Sequence, residues 1–317
     1  MKRLKIAFLM NPLKGWDFDG DTSLSIIAEC HRRNHTIYFL ESKDLCLKGP
    51  VLWARVRPAV PSPKTGLAAD PPRWMNLETL DCLVIRKEPP FDFDYLSCTY
   101  LLDFLRGKVF MMNDPAGIRN VNEKLSSLLF PSRPRSAAGY TADTLVPFLK
   151  SLKGPAVLKR IDEKGGIGIV KTSAKDPDLG KKIYELTEDG TRAILAQEFI
   201  PHAKSGDKRV LILGGRPIGA FVRYPPKSDF RANMAVGGTA GPGRIERSDR
   251  ALVRSLAPFL KRNGLGFVGI DILDGKLSEI NVTSPAGIPE ANAFDGTRLE
   301  EAVADFIERK SGNPGRS

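Results

Sequence analysis

Long apolar runs are missing from this sequence. The longest, such as Ile6–Met10 and Val109–Met112, are a few residues each. A membrane-spanning helix needs roughly 20, so no membrane partner is expected. Met1-Lys2-Arg3-Leu4 runs straight into a short apolar segment with no cleavage pattern, so no signal peptide is expected and the expected compartment is the cytoplasm. Cysteine and histidine are scarce. Cys30, Cys46, Cys82 and Cys98 form no Cys-x-x-Cys pair, which argues against zinc and fits reduced cytosolic thiols. His31, His35 and His202 form no His-Glu-x-x-His, and nucleophilic catalysis by serine or thiol has no visible support. There is no internal repeat and no run of five like charges.

What is present fits an ordinary globular enzyme-sized chain. Its 317 residues are 42% hydrophobic and 27% charged, enough for a sizeable core and about two domains. The net charge is +11, which suggests an anionic partner. The excess is spread along the chain and broken by acids, whereas nucleic-acid binders carry a concentrated stripe with interleaved aromatics. A small polyanion such as a nucleotide is expected, and no nucleic acid.

The first 120 residues alternate strands and helices. Strands are expected at Leu4–Met10, Thr36–Leu40, Cys82–Ile85 and Val109–Met112, with helices from an Asp21 or Thr22 cap to Arg33 and over Tyr95–Leu105. Such alternation implies a parallel sheet with ligand-bearing loops at its carboxyl edge. The proline-rich stretch 48–75 suggests a long surface excursion. Beyond 120 the pattern becomes antiparallel. A strand ends at Lys159, another spans Ile194–Ile200, and Val210–Leu213 and Pro217–Val222 flank a hairpin turn. Residues 225–243 read as a Gly- and Pro-rich loop. Ser248 is the expected cap of a helix to about Asn263, with a kink at Pro258 and a stop at Gly264. Phe267–Leu273 and Lys276–Val282 pair around Asp274-Gly275.

Three features in this half carry chemistry. Lys159 precedes the turn Asp162-Glu163-Lys164-Gly165-Gly166, where glycines let amides approach phosphate oxygens; alone, this is equally an ordinary hairpin turn. Arg209 at a strand start, after Asp207, suits a phosphate or a developing oxyanion; alone, it is equally a solvated turn. Asp271, Glu279 and Asn281 flank a hairpin, and Mg²⁺ favours such hard oxygen donors. Strand parity makes the last reading testable. A two-residue loop would set Asp271 opposite Ser278 and turn Glu279 away, so a metal site predicts a three- or five-residue loop centred on Gly275.

Taken together the residues are recognisable. Gly20-Asp21-Thr22, Arg86-Lys87-Glu88-Pro89-Pro90-Phe91-Asp92, Asn122-Glu123-Lys124-Leu125, Gly206-Asp207-Lys208-Arg209, Asn233-Met234-Ala235-Val236-Gly237-Gly238, Phe267-Val268-Gly269-Ile270-Asp271 and Glu279-Ile280-Asn281-Val282-Thr283-Ser284-Pro285 occur in this order. In them the chain resembles the bacterial glutathione synthetase family of the ATP-grasp superfamily, over nearly its whole length. The resemblance implies an α/β N-terminal pre-ATP-grasp domain (1–121) and an α+β ATP-grasp fold with antiparallel sheets. The latter would comprise a small lid subdomain (122–202) and a large subdomain (203–317) with a mobile loop at 225–243. It implies that ATP, γ-glutamylcysteine and glycine give glutathione, ADP and phosphate through an acyl phosphate. It also implies a cytoplasmic homo-oligomer, a tetramer by family analogy.

Residue by residue, the resemblance places Lys124, Lys159, Gly165 and Gly166 at the ATP phosphates. Gln197, Glu198, Phe199 and Ile200 would lie along the adenine, with backbone groups reading its edge, and Asp207 at the ribose. Asp271, Glu279 and Asn281 would hold two Mg²⁺, with Mn²⁺ an alternative. Arg209 and Arg223 would stabilise the acyl phosphate and its adduct. Arg86, Arg231, Asn281, Ser284, Ala286 and Gly287 would touch the peptide or glycine. The chain departs from the family pattern at Asn11, Glu88, Glu163, Thr239, Ala286 and Pro289. Most departures lie near the substrate. They leave open a ligase for a different acyl donor or amine, or a catalytically weak ATP-binding homologue.

Overall fold

The computed structural model describes residues 2–13, 20–62, 64–201 and 206–312. His202, Ser205 and most of the Asn11–Asp21 loop lie outside the described residues. The chain opens with β1 (Lys5–Met10), α1 (Thr22–Arg32), β2 (Thr36–Leu40), β3 (Leu45–Lys48), β4 (Val51–Ser62), β5 (Gly66–Ala69) and β6 (Arg73–Asn76). β7 (Cys82–Arg86), α2 (Phe93–Leu102), β8 (Phe110–Met112) and α3 (Pro115–Asn120) follow. The sheet order is β3-β4-β2-β1-β7-β8. β1 runs parallel to β2 and β7, and β7 to β8, as the alternation implied. The Asp21 side chain caps α1 by accepting from the Leu24 amide at 2.8 Å. α2 ends at Leu102 and tightens into a 3₁₀ turn at Asp103–Leu105.

The expected surface excursion at 48–75 is not a loop. It is an antiparallel meander in which β4 pairs with β2, β3, β5 and β6. The prolines hide an alternation: Leu52, Ala54 and Val56 are buried while Trp53 and Arg55 face out. Pro58 and Pro61 are tolerated within this strand because its pairing is distributed over short partners rather than one continuous ladder.

β9 (Ser136–Gly139), α4 (Ala142–Lys150), β10 (Ala156–Arg160), β11 (Ile169–Thr172), α5 (Leu179–Leu186) and β12 (Ile194–Glu198) form a second unit. Its antiparallel sheet has the order β11-β10-β12-β9 and its own core, built on Leu145, Leu149, Leu158, Ile183 and Ile194. The third sheet, β15-β14-β13-β16-β17, uses β13 (Asp207–Leu213), β14 (Arg216–Tyr224), β15 (Thr239–Pro242), β16 (Phe267–Leu273) and β17 (Lys276–Asn281). α6 (Arg247–Arg262), α7 (Ile288–Asp295) and α8 (Leu299–Ser311) complete the described chain. The first and third sheets share their cores, so Leu9 and Leu83 pack in one cluster with Val268 and Ile270. Asn113 stitches them further, donating to Phe267 O at 2.8 Å and Val282 O at 2.7 Å.

Two expectations about this region need correction. Residues 225–243 are not all loop, because Thr239–Pro242 pairs with β14 as an edge strand. The cap of α6 is Glu246 rather than Ser248. Glu246 and Asp249 form a reciprocal capping box, the Glu246 amide donating to Asp249 Oδ2 at 2.8 Å, which satisfies two orphan donors at once.

The join of α1 to α8 rests on a buried acid. Glu29 accepts from Arg32 Nε at 2.7 Å and Arg33 Nε at 2.6 Å, with Arg298 at 3.2 Å. The Arg32 hydrogen bond, then Arg33, pulls its carboxyl from 4.5 down to about 2 against the cost of burial. A lowered carboxylate stabilises the fold above its unfolded value, and that stability is lost as pH falls through the folded one. Thermal melts are therefore expected to fall as pH drops from 4.5 to about 2, and to fall less steeply in Glu29→Gln. A parallel fall in both proteins would rule Glu29 out as the cause.

Candidate active site

The third sheet gathers the chemistry on one face. Along β13, Asp207 and Arg209 share a face. Asp207 lies opposite Arg223 on β14, and Arg209 opposite Asp271 on β16. Asp271 in turn lies opposite Glu279, and Gly269 opposite Asn281. Gly269 is what leaves room here, since a Cβ on it would stand 3.1 Å from Arg209 Cδ.

The parity test resolves in an unexpected way. The loop between β16 and β17 is the two-residue Asp274-Gly275, with φ of 48° and 74°, so the expected three- or five-residue loop is wrong. Leu273 pairs with Lys276 and Ile272 with Leu277, after which the register shifts by one and Asp271 meets Glu279. Ser278 is the extra residue of a β-bulge, the device by which a strand re-aims a side chain. The carboxylates face each other as a metal site requires, but a bulge does it and not the turn.

Asp271 is the hub. Arg209 gives it a bidentate pair, Arg223 stands 3.0 Å from Oδ2, and Asn281 Nδ2 donates to Oδ2 at 3.3 Å. The two guanidiniums hold its carboxyl far below the usual range despite burial. Asp207 is the contrary case. Burial pushes it up to about 6, with Arg223 opposing and Asp271 adding repulsion. Its Oδ2 accepts from Arg223 at 2.6 Å, while Asp207 Oδ1 and Arg223 Nε are buried without partners. Buried polar atoms are ordinarily paired, so these orphans mark a place for a group the chain does not supply.

The donor set suits a hard cation. Asp271, Glu279 and Asn281 offer oxygens within one face, with the free Asp207 oxygen beside them. Among the described residues no three acids, histidines or cysteines form a complete metal cage. Mg²⁺ takes one or two carboxylates and finishes its shell with water and phosphate oxygens.

This face forms one wall of a cleft of about 540 Å³ whose other wall is the second sheet. Lys159, at the end of β10, projects across it. Its ammonium is buried and donates to Ser278 Oγ at 3.2 Å and Glu279 Oε1 at 3.4 Å. Gln197, Glu198, Phe199 and Ile200 line the cleft, along with Asp207 and Arg231. Two of the backbone groups expected to read a base edge are already used: the Glu198 amide donates to Arg135 O at 2.9 Å and the Phe199 amide to Pro155 O at 3.0 Å. Phe199 contacts the Phe230 ring at 5.9 Å and carries the Lys171 ammonium at 3.8 Å.

Gly165 and Gly166 adopt φ of 64° and 86°, and the 225–243 segment is seated on them. Arg231 Nη1 donates to Gly166 O at 2.8 Å, and a Cβ on Gly166 would stand 3.0 Å from Asn233 Oδ1. Lys124 is not brought into the cleft; it is buried beneath this turn and donates to the Glu163 carbonyl. Arg86, Ser284, Ala286 and Gly287 lie beyond Arg209. Arg86 donates to Ser23 Oγ at 2.9 Å and Pro285 O at 2.8 Å, and burial lowers it to about 10. Arg209 Nη1 donates to Ala286 O at 3.1 Å.

The departures have structural places. The Glu163 carbonyl, not its carboxylate, meets Lys124. Glu88 pairs with Lys164 across the turn, and its amide donates to Asn11 Oδ1 at 2.9 Å. Thr239 begins β15, and Pro289 sits in the first turn of α7, where its missing N–H costs nothing. Sequence reasoning missed the apolar wall of Val157, Ile169, Phe230 and Leu273, and it missed Ser278 as the Lys159 partner. No local motif marks these residues.

The chain is similar to known proteins over nearly its whole length. The family model described as "Prokaryotic glutathione synthetase, N-terminal domain" matches residues 4–119, and "Prokaryotic glutathione synthetase, ATP-grasp domain" matches residues 123–296. The chain is 36% identical to a glutathione synthetase of Thermosynechococcus vestitus over 319 residues, covering 96% of this chain and 99% of that protein. It is 37% identical to one from Photorhabdus laumondii, covering 97% and 99%. Among solved structures, an ATP-grasp ligase, PsnB, complexed with its minimal precursor, Mg and ADP, shares the fold. Its TM-score is 0.61 at 15% identity, over 98% of this chain and 99% of that one.

Proposed function

The chain belongs to the prokaryotic glutathione synthetase family, and from that membership and the site geometry we propose that it makes glutathione from γ-glutamylcysteine, glycine and ATP. It is an ATP-dependent carboxylate–amine ligase of the ATP-grasp fold. The observation that carries the reading is the single face on which Arg209, Arg223, Asp271, Glu279 and Asn281 meet opposite buried Lys159.

A carboxylate is a poor acyl donor until it is phosphorylated, so the enzyme's task is to position reactants and neutralise charge. Asp271, Glu279 and Asn281 would hold Mg²⁺, two ions by the family's pattern or Mn²⁺ in its place. Bound there, the metal supplies positive charge at the ATP phosphates. Lys159 adds a fixed cation, Gly165 and Gly166 belong to the turn over the phosphates, and Lys124 supports that turn from beneath through the Glu163 carbonyl. Phe199 and Ile200 offer an adenine surface beside Gln197 and Glu198, and Asp207 has a free oxygen for ribose or metal. Arg209 and Arg223 face the developing charge of acyl phosphate and tetrahedral adduct. Arg86, Ser284, Ala286 and Gly287 belong to the peptide side. The 225–243 segment, docked through Arg231, would shield the acyl phosphate from water. A lid subdomain at 122–202 between domains 1–121 and 203–317 completes the proposal, in a cytoplasmic homo-oligomer.

ADP release from ATP, Mg²⁺, γ-glutamylcysteine and glycine, with mass spectrometry of the product, tests this. Glutathione is expected only when both substrates are present, and not from Asn281→Ala. The altered Ala286-Gly287-Ile288-Pro289 turn favours one second reading, a ligase for another acid–amine pair. ADP release with such a pair and no glutathione would establish it. Bound ATP without any turnover would refute both.

A further inference from the structure

Glu290 is a half-buried acid with one buried oxygen that no contact in the fold explains. It stands in the first turn of α7, which packs against α1 and against β14, the strand that carries Arg223. The turn leading into α7 is pinned from two sides. Arg209 Nη1 donates to Ala286 O at 3.1 Å, and the Gly287 and Ile288 amides donate to Thr22 Oγ1 at 2.9 and 3.1 Å. Glu290 accepts from its own backbone amide. Its Oε2 is buried and has no hydrogen-bond partner.

The charges that act on Glu290 are those of Arg209, Arg223 and Asp21. Neither arginine pairs with it. Arg209 is engaged by Asp271 and Ala286 O, and Arg223 by Asp207 and Asp271. Asp271 is taken by the two guanidiniums and Glu279 by Lys159, and the unpaired Asp207 Oδ1 is the oxygen assigned above to ribose or metal, which leaves Glu290 Oε2 as the unpartnered buried oxygen with no role. What the centre lacks is a place for a cationic reactant. An amine substrate arrives as an ammonium and is no nucleophile until it gives up a proton.

We propose that Glu290 receives the ammonium of the amine substrate and takes its proton as the nitrogen attacks. This rests on the ligase reading above. One N–H proton passes to Glu290 Oε2 while the nitrogen lone pair forms the C–N bond at the acyl carbon. The C–O bond to phosphate then breaks; phosphate leaves with that electron pair and takes the second N–H proton, so hydrogen phosphate and a neutral amide result. Arg209 and Arg223 hold the oxyanion between the two events. Burial raises the Glu290 carboxyl above its ordinary value, the direction that suits a proton acceptor near neutral pH.

Glu290→Gln keeps the shape and removes the base. The full-length protein and this variant would be compared with ATP, Mg²⁺ and γ-glutamylcysteine, using either glycine or hydroxylamine as nucleophile. Hydroxylamine is largely unprotonated at neutral pH and needs no base. Glycine-supported kcat/KM should fall about 10²-fold or more, hydroxamate formation should stay within about threefold, and the glycine deficit should shrink as pH rises. Hydroxamate formation also reports that the variant is folded and still activates the acid. Equal loss with both nucleophiles would overturn the assignment, because Glu290 would then serve the donor or the fold. An unchanged glycine rate would overturn it as well. A wild-type protein that forms hydroxamate but no glutathione would instead overturn the proposed acceptor, a failure visible before the variant is made.

Discussion

Asp271→Ala should abolish ADP formation and cost about 3–5 kcal/mol of stability, the scale for breaking a buried ion pair. The cause is charge left behind. Arg209 and Arg223 both rest on this carboxylate, and both are buried. Without it two guanidiniums sit on the neighbouring strands β13 and β14, with Asp207 and the more distant Glu279 left to balance them. Asp207 takes one oxygen to Arg223 and leaves the other unpaired. The same substitution removes a proposed metal ligand, so activity should fall below about one-thousandth of wild type. Urea denaturation and an ADP assay read the two effects separately. A stable Asp271→Ala protein would mean the arginines are solvated in solution, and the closed arrangement described above would be wrong.

Arg209→Met should divide those effects. Asp271 keeps Arg223 at 3.0 Å and Asn281 at 3.3 Å, so its carboxylate stays satisfied, and about 1–2 kcal/mol is the expected stability loss. Turnover should suffer more, by about 10²–10³ in kcat, the usual cost of losing one oxyanion donor. Lysine at this position should rescue little. A point charge cannot hold Asp271 with two parallel bonds and reach the Ala286 carbonyl as well. Because the residues share one network, Asp271→Ala with Arg209→Met should cost less than the sum of the two. An additive double variant would show that Arg209 does not act through this pair.

Much of the architecture was legible in the sequence. The alternation of short apolar segments with amphipathic helices in residues 4–120 has one low-energy solution, a parallel sheet with crossovers. Period-2 patterning around Val210, Pro217, Phe267 and Lys276 likewise specified antiparallel hairpins. The oxygen-rich and cationic residue types at 207–209, 271 and 279–281 were visible, because chemistry of this kind needs particular side chains. The 48–75 meander was not legible, because proline content masked the alternation of Leu52, Ala54 and Val56.

Register and closure were decided only in three dimensions. Nothing local marks Ser278 as a bulge; the shift becomes visible only when β17 is paired with β16 and both face β13. Lys124 looked like a phosphate ligand and lies beneath the Glu163 carbonyl, because the turn it supports folds over it. Nothing in the sequence singles out Glu290, and its unpaired oxygen near Arg209 and Arg223 comes from the packing of α7 on β14. Sequence periodicity determines which face a residue takes, since that depends on neighbours along the chain. Which charges end up paired depends on strands far apart in sequence, and only the assembled sheet settles it.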